Sequence, residues 1–147
     1  MSLLDRINED LKKAMKEKDS LRLSCLRMLK TAIKKVQVEK ARQLNDEEII
    51  AVIHSLIKKG KEAVENFKRG NRADLAEKEE KEIKIFYEYL PEQLTSEEIE
   101  KIVKDAISEV KATSIKDLGK VMKVAMSKVA GRAQGKDVSE IAKRLLS

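Results

Sequence analysis

The chain of 147 residues is poor in the residues that interrupt or cross-link a polypeptide. It has 5 glycines, 1 proline and 1 cysteine, and no tryptophan. So few turn formers cannot punctuate a many-stranded β protein. Cys25 stands alone, so no intrachain disulfide can form. Aromatic residues are 3% of the chain, which leaves Leu, Ile, Val, Ala and Met to build the core, and aliphatic cores of that kind suffice for helix bundles. No apolar run approaches the ~18 residues of a membrane span. The first ten residues are amphipathic and carry acids, unlike a signal or transit peptide. Together these features predict a soluble, cytoplasmic protein with no membrane partner.

What the chain has in quantity is charge. Charged residues are 39% and apolar residues 41% of it, the balance of helices that bury one stripe and solvate the rest. The net charge of +6 is unevenly placed. Residues 11–42 hold 11 Lys and Arg against 3 acids, residues 91–113 hold 3 against 6, and residues 114–147 hold 8 against 3. Each basic zone is either a solvated helix face or a surface for an anionic partner.

Apolar spacing predicts an all-α fold of seven helices. Leu3, Leu4, Ile7, Leu11, Ala14 and Met15 share one face of a first helix, which Ser2 and Asp5 open. Asp19 caps a second helix through about Glu39. Asn45 and Glu48 form a capping box before a third, and Gly70-Asn71 ends it. A fourth runs from about Ala73 to Tyr89. Pro91 forbids a continuing helix. We place a domain boundary there, which divides a four-helix domain over 1–90 from a small three-helix domain over 91–147. In the second part Thr95 with Glu98 and Ser114 with Asp117 are capping boxes. Asp137 with Glu140 opens a last helix after the loop 130–136.

Catalytic chemistry finds few candidates. One histidine and one cysteine cannot make a zinc site. His54 lies beside the apolar run Ile49 to Ile57 and Cys25 among Leu26, Met28 and Leu29, which makes both structural residues. No nucleophile elbow, Walker motif or dinucleotide fingerprint occurs. The many acids on helices define no acid–base pair without a pocket. No cofactor is implied.

The basic tail is the one constellation that suggests a task. Lys116, Lys120 and Lys123 fall within about 60° of one another on a helix and roughly opposite an apolar stripe of Ile115, Leu118, Met122, Ala125 and Val129. Lys128, Arg132 and Lys136 continue the positive charge through the loop, and Lys143 and Arg144 close the chain. Surfaces of this kind hold phosphate backbones, and loop glycines let main-chain N–H groups approach. No aromatics interleave with the cations, so base stacking has no platform. A nucleic acid bound here would be read by shape and charge.

The stretch Gly119-Lys-Val-Met122, then Met126, then Gly131-Arg-Ala-Gln-Gly-Lys136 resembles the C-terminal signature of the YqeY family. That signature is shared with the tail of GatB, the B subunit of tRNA-dependent amidotransferase. Tyr89-Leu-Pro-Glu-Gln-Leu94 and Arg27-Met-Leu-Lys30 extend the resemblance over essentially the whole chain. It implies a four-helix domain followed by a three-helix domain. It also implies contact with tRNA or another structured RNA through Lys120, Lys123, Arg132 and Lys136, with Gly131 and Gly135 shaping the loop. Gln134 departs from the small acidic or similarly polar residue expected there. The relatives' ATP use and amide transfer reside in domains that this sequence does not contain, so no active site is carried over and the chain is expected to be no enzyme on its own. Two alternatives remain: a protein-interaction adaptor using Met122 and Met126, and amidotransferase-like activity only with partner subunits.

Overall fold

A computed structural model describes residues 2–147, and among these residues the fold is all-α with no strand. The helices are α1 (Leu3–Glu17), α2 (Ser20–Lys40), α3 (Asp46–Arg69), α4 (Ala73–Tyr87), α5 (Ser96–Val110), α6 (Leu118–Val129) and α7 (Gly135–Leu146). A 3₁₀ turn, Ile115–Asp117, precedes α6. The chain divides into two compact units, one ending at Leu90 and the other spanning Pro91–Ser147.

The helix starts follow their caps. Ser2 accepts from the Asp5 N–H and Asp19 from the Arg22 N–H. Asn45 with Glu48 and Thr95 with Glu98 form complete reciprocal boxes. The ends reflect the shortage of glycine: Lys18, Ala41, Lys111 and Ala130 take the left-handed conformation that terminates α1, α2, α5 and α6. Asn71, rather than Gly70, takes the positive φ after α3.

In the first unit the interior is a single aliphatic cluster. Ile7 of α1, Leu26 and Leu29 of α2, and Ile49, Ile53 and Ile57 of α3 are fully buried, with Ile83 and Phe86 of α4 closing it. Gly60 of α3 permits close approach of α4, because a Cβ there would lie 2.9 Å from Ile83 Cγ1. Beyond α4 the chain is tied back. Tyr89 OH donates to Asp10, Arg6 donates to the Glu88 carbonyl and stacks over the Tyr89 ring, and Arg22 forks the Glu88 carboxylate.

The second unit packs α5, α6 and α7 around Val103, Ala106, Val121, Ala125, Val129, Val138 and Ala142. Three details differ from the sequence expectation. The box of Ser114 and Asp117 opens the 3₁₀ turn, and α6 begins only at Leu118. A 3₁₀ turn winds more tightly than an α-helix, so Ile115 is carried off the apolar stripe and is 46% exposed. The buried line of α6 is instead Val121, Ala125 and Val129. Third, α7 begins at Gly135, two residues before the expected cap at Asp137, which lies in the first turn.

Candidate nucleic-acid interface

The tail segment is positioned from below by the residues after Pro91. Leu94 N–H donates to the Arg132 carbonyl at 2.7 Å, and the Gln93 side-chain amide donates to the carbonyls of Pro91 and Gly131 at 2.8 and 3.3 Å. The Leu90-Pro-Glu-Gln-Leu94 stretch thus fastens the loop between α6 and α7. In sequence the stretch marks the domain boundary and carries part of the family resemblance, and neither shows its bonds to the loop. Gly131 has φ 79°, the left-handed backbone that favours glycine. Gly135 lies outside that loop in the first turn of α7, where an added Cβ would meet Met126 Cε at an ordinary 3.9 Å.

The six predicted cations separate into two groups. At ~100° per residue, Lys120 and Lys123 lie roughly 140° and 160° round α6 from Ala125, on its outer face. Both are exposed, and among the described residues neither is in an ion pair. Lys116 is exposed on the 3₁₀ turn that leads to this face, and Lys136 is exposed in the first turn of α7.

Lys128 and Arg132 have other attachments. Lys128 lies only about 60° from the Ala125 direction, and its ammonium pairs with Glu109 of α5 at 3.0 Å. Arg132 turns back on the end of α6: Nε donates to the Val129 carbonyl and Nη2 to the Lys128 carbonyl, both at 2.9 Å. Carbonyls at a helix C-terminus lack intrahelical partners and carry partial negative charge, so a guanidinium there is a cap. The loop arginine expected to face a phosphate is in this structure an anchor for its own helix. Lys143 and Arg144 are exposed on α7, and Arg144 lies 3.6 Å from Glu100 of α5.

Two further features were not apparent from spacing. Gly119 sits on the same outer face as Lys120 and Lys123, and a Cβ there would meet nothing within 4 Å. Packing therefore gives no reason for glycine at this point in α6. The second is at the start of α7. Its N-cap Gln134 makes no side-chain capping bond, and Gln134 Nε2 is a buried donor with no acceptor among the described residues. Uncapped N–H groups at a helix start favour an anion, although Asp137 in the first turn supplies one negative charge nearby.

Asp117 shapes the approach to this face. Its carboxylate accepts from the Thr113 and Ser114 N–H groups at 2.9 and 3.4 Å, and the Thr113 bond foremost holds its pKa below the ordinary aspartate value. It stays ionised and fixes the 3₁₀ turn that carries Lys116. No group of three or more candidate metal ligands occurs among the described residues, and none of their helices is long and apolar enough to cross a membrane.

The sequence matches the family described as Yqey-like protein over residues 4–146. It is also similar to proteins named altered inheritance of mitochondria protein 41, mitochondrial. That of Lachancea thermotolerans is 37% identical over 111 residues, covering 74% of this chain and 59% of the relative. That of Pyrenophora tritici-repentis is 29% identical over 133 residues, covering 89% and 73%. That of Vanderwaltozyma polyspora is 28% identical over 120 residues, covering 76% and 64%. The chain thus spans about three fifths of the length of the first of these relatives. These names overturn the cytoplasmic placement drawn from composition, since the relatives are named as mitochondrial proteins. A lone cysteine and the absence of a membrane-length apolar run do not distinguish the two compartments.

Proposed function

The chain belongs to the YqeY-like family, and on that premise we propose that it is a non-catalytic accessory module that holds structured RNA, tRNA foremost, by its phosphate backbone. The holding surface is the outer face of α6 with the loop and first turn of α7. The carrying observation is the pair Lys120 and Lys123, exposed and with no ion pair within 4 Å among the described residues, although Asp117 lies near enough to feel the charge of Lys120, on the face where Gly119 leaves the helix backbone bare. Glycine within a helix costs up to ~1 kcal/mol relative to alanine. A position that bears this cost without a packing reason suits a helix that a partner must approach closely. Lys116 and Lys136 extend the charge, while Lys128 and Arg132 contribute mainly through the field of the face.

The absence of aromatic side chains on this face makes the contact one of charge and shape. Chemistry on the RNA would belong to other proteins. Incubation of the chain alone with charged tRNA, glutamine and ATP is expected to yield no amidated product, and turnover would overturn this reading. The adaptor alternative has less support. Met122 and Met126 pack partly buried against the core of their own unit, so neither is an open contact.

Binding of tRNA titrated against salt tests the proposal. Four to six neutralised phosphates predict a log–log slope of roughly −4 to −5. Changing Lys120, Lys123 and Lys136 together to Glu removes charge from three exposed side chains without disturbing the Arg132 cap. The triple variant should fold and lose binding. A folded variant with full affinity would remove the basis of the proposal.

A further inference from the structure

The first unit holds an unpartnered cationic surface of its own. From Ser20 to Val38, α2 contains 5 basic residues and no acid. Arg22 is engaged by Glu88, but Arg27, Lys30, Lys34 and Lys35 have no ion pair among the described residues. Elsewhere in the unit some cations are paired, Lys68 with Glu80, Arg69 with Glu65 and Lys81 with Glu77, and others such as Lys58, Lys59 and Lys84 are interspersed with acids along their helices.

Three of the free cations converge. At ~100° and ~1.5 Å per residue, Arg27, Lys30 and Lys34 fall within roughly 60° of one another along about 10 Å of helix. Arg27 and Lys34 are exposed and Lys30 is half-buried. Lys30 and Lys34 line a cleft between α1 and α2 of about 330 Å³, whose walls also include the polar Asn8, Thr31 and Gln37 and the apolar Leu4 and Ile33. Asn8 Oδ1 is a buried acceptor with no donor among the described residues. Such groups are ordinarily satisfied, and a hydroxyl in the cleft would satisfy this one once the amide turns outward.

We propose that Arg27, Lys30 and Lys34, with the Asn8–Thr31–Gln37 cleft beside them, form a second RNA-backbone contact, on α2. The cations meet phosphate oxygens, and the amide and hydroxyl groups of the cleft suit a ribose 2′-hydroxyl. An anionic lipid surface would need an apolar strip beside the charges. On the outward face of α2 only Met28 and Val38 are apolar and strongly exposed, ten residues apart. The class of partner rests on the reading given under Proposed function; the site does not.

The test uses the full chain, tRNA and a salt series. Neutralising α2 (Arg27→Gln, Lys30→Gln, Lys34→Gln) should reduce the log–log slope by about 2 to 3 and weaken binding about tenfold or more at 0.1 M salt. Lys58→Gln, Lys59→Gln, Lys84→Gln removes equal charge from exposed positions elsewhere in the unit and should change the slope by less than about 1. Melting curves check that both variants fold. If the α2 variant binds as wild type while the tail variant loses binding, this proposal falls and the tail reading stands. If the α2 variant loses binding and the tail variant does not, the α2 site stands alone. Equal loss in both neutralised variants, or wild-type binding to phosphatidylglycerol vesicles but not tRNA, overturns the α2 contact. Absence of any RNA binding by the wild type at low salt overturns both.

Discussion

Arg22 of α2 and Glu88, just past α4, meet in a forked pair, with Nη1 2.6 Å from Oε2 and Nη2 3.3 Å from Oε1. Next to Glu88, the Tyr89 hydroxyl donates to Asp10 of α1. Two consecutive residues therefore fasten the end of α4 to two different helices. Arg22 and Glu88 are partly exposed, so solvent screens them, and a double-mutant cycle to Ala should give a coupling below about 1 kcal/mol that shrinks with salt. The Tyr89 bond is more sheltered, since Tyr89 is buried. Tyr89→Phe should cost about 1 to 2 kcal/mol in denaturant melts, more than the cycle's coupling. The reverse order would show that the exposed pair dominates the clasp.

A second expectation concerns the left-handed caps. Lys111 ends α5 at φ 57°, a conformation that costs a residue with a Cβ roughly 1 kcal/mol or more. Its N–H makes the terminating bonds to Ile107 and Ser108 whatever the side chain. Lys111→Gly should therefore stabilise the second unit by about 0.5 to 1 kcal/mol, read as a higher melting temperature.

Acid should loosen the helix starts. Side-chain bonds from Arg42 and then Lys40, with the Asn45 N–H, hold the Glu48 carboxyl well below its ordinary value of 4.5. The Thr95 N–H lowers that of Glu98 in the same way. A carboxylate depressed on folding contributes stability that is present above its unfolded value and lost as pH falls toward the folded one. Glu48→Gln should accordingly be less stable than wild type at pH 7, with the gap closing below about pH 4.5. A gap independent of pH would mean that ionised Glu48 is not what stabilises the cap.

Much of this architecture was legible because caps and apolar spacing are local. Asn45 with Glu48 and Thr95 with Glu98 act over three residues and announce themselves. What could not be read depended on bonds between distant positions or on a change of helical pitch. Gln93 reaching Gly131 spans 38 residues. Arg132 capping its own helix looks in sequence like any loop arginine. The 3₁₀ turn at Ile115–Asp117 takes Ile115 off the apolar line, and Val121, absent from the expected stripe, heads the buried row Val121, Ala125 and Val129. Of the expected cationic row, the outer-face members Lys120 and Lys123 followed from helical spacing, while the pairing of Lys128 with Glu109 required knowing that α5 packs against that flank.

Glu82 of α4 is 6% exposed and has no ion pair among the described residues. Burial foremost, with the neighbouring Glu79, raises its pKa above 4.5. A raised carboxyl favours the protonated form in the folded state, so its effect is least harmful at low pH and becomes destabilising as pH rises through the folded value. Glu82→Gln keeps the shape and removes the charge. It should raise the melting temperature at pH 7 and lose that advantage in acid, the opposite trend to Glu48→Gln.

Gly119 offers a separation of stability from function. With nothing within 4 Å of its missing Cβ, Gly119→Ala should stabilise α6 by up to about 0.5 to 1 kcal/mol. The added methyl stands about 40° from Lys123 and about 100° from Lys120 round α6, at the edge of the face proposed to meet a phosphate backbone. Affinity for tRNA should fall several-fold, with the salt slope unchanged because no charge is lost. Gly60→Ala gives the contrast. There the new Cβ lies 2.9 Å from Ile83 Cγ1 in the core between α3 and α4. Overpacking of this kind costs about 1 to 3 kcal/mol, which outweighs the gain in helix propensity, so this variant should be destabilised by about 1 kcal/mol and bind tRNA normally while folded. If Gly119→Ala is stabilised and binds with full affinity, close approach to α6 is not required, and any contact there runs through the lysine side chains alone.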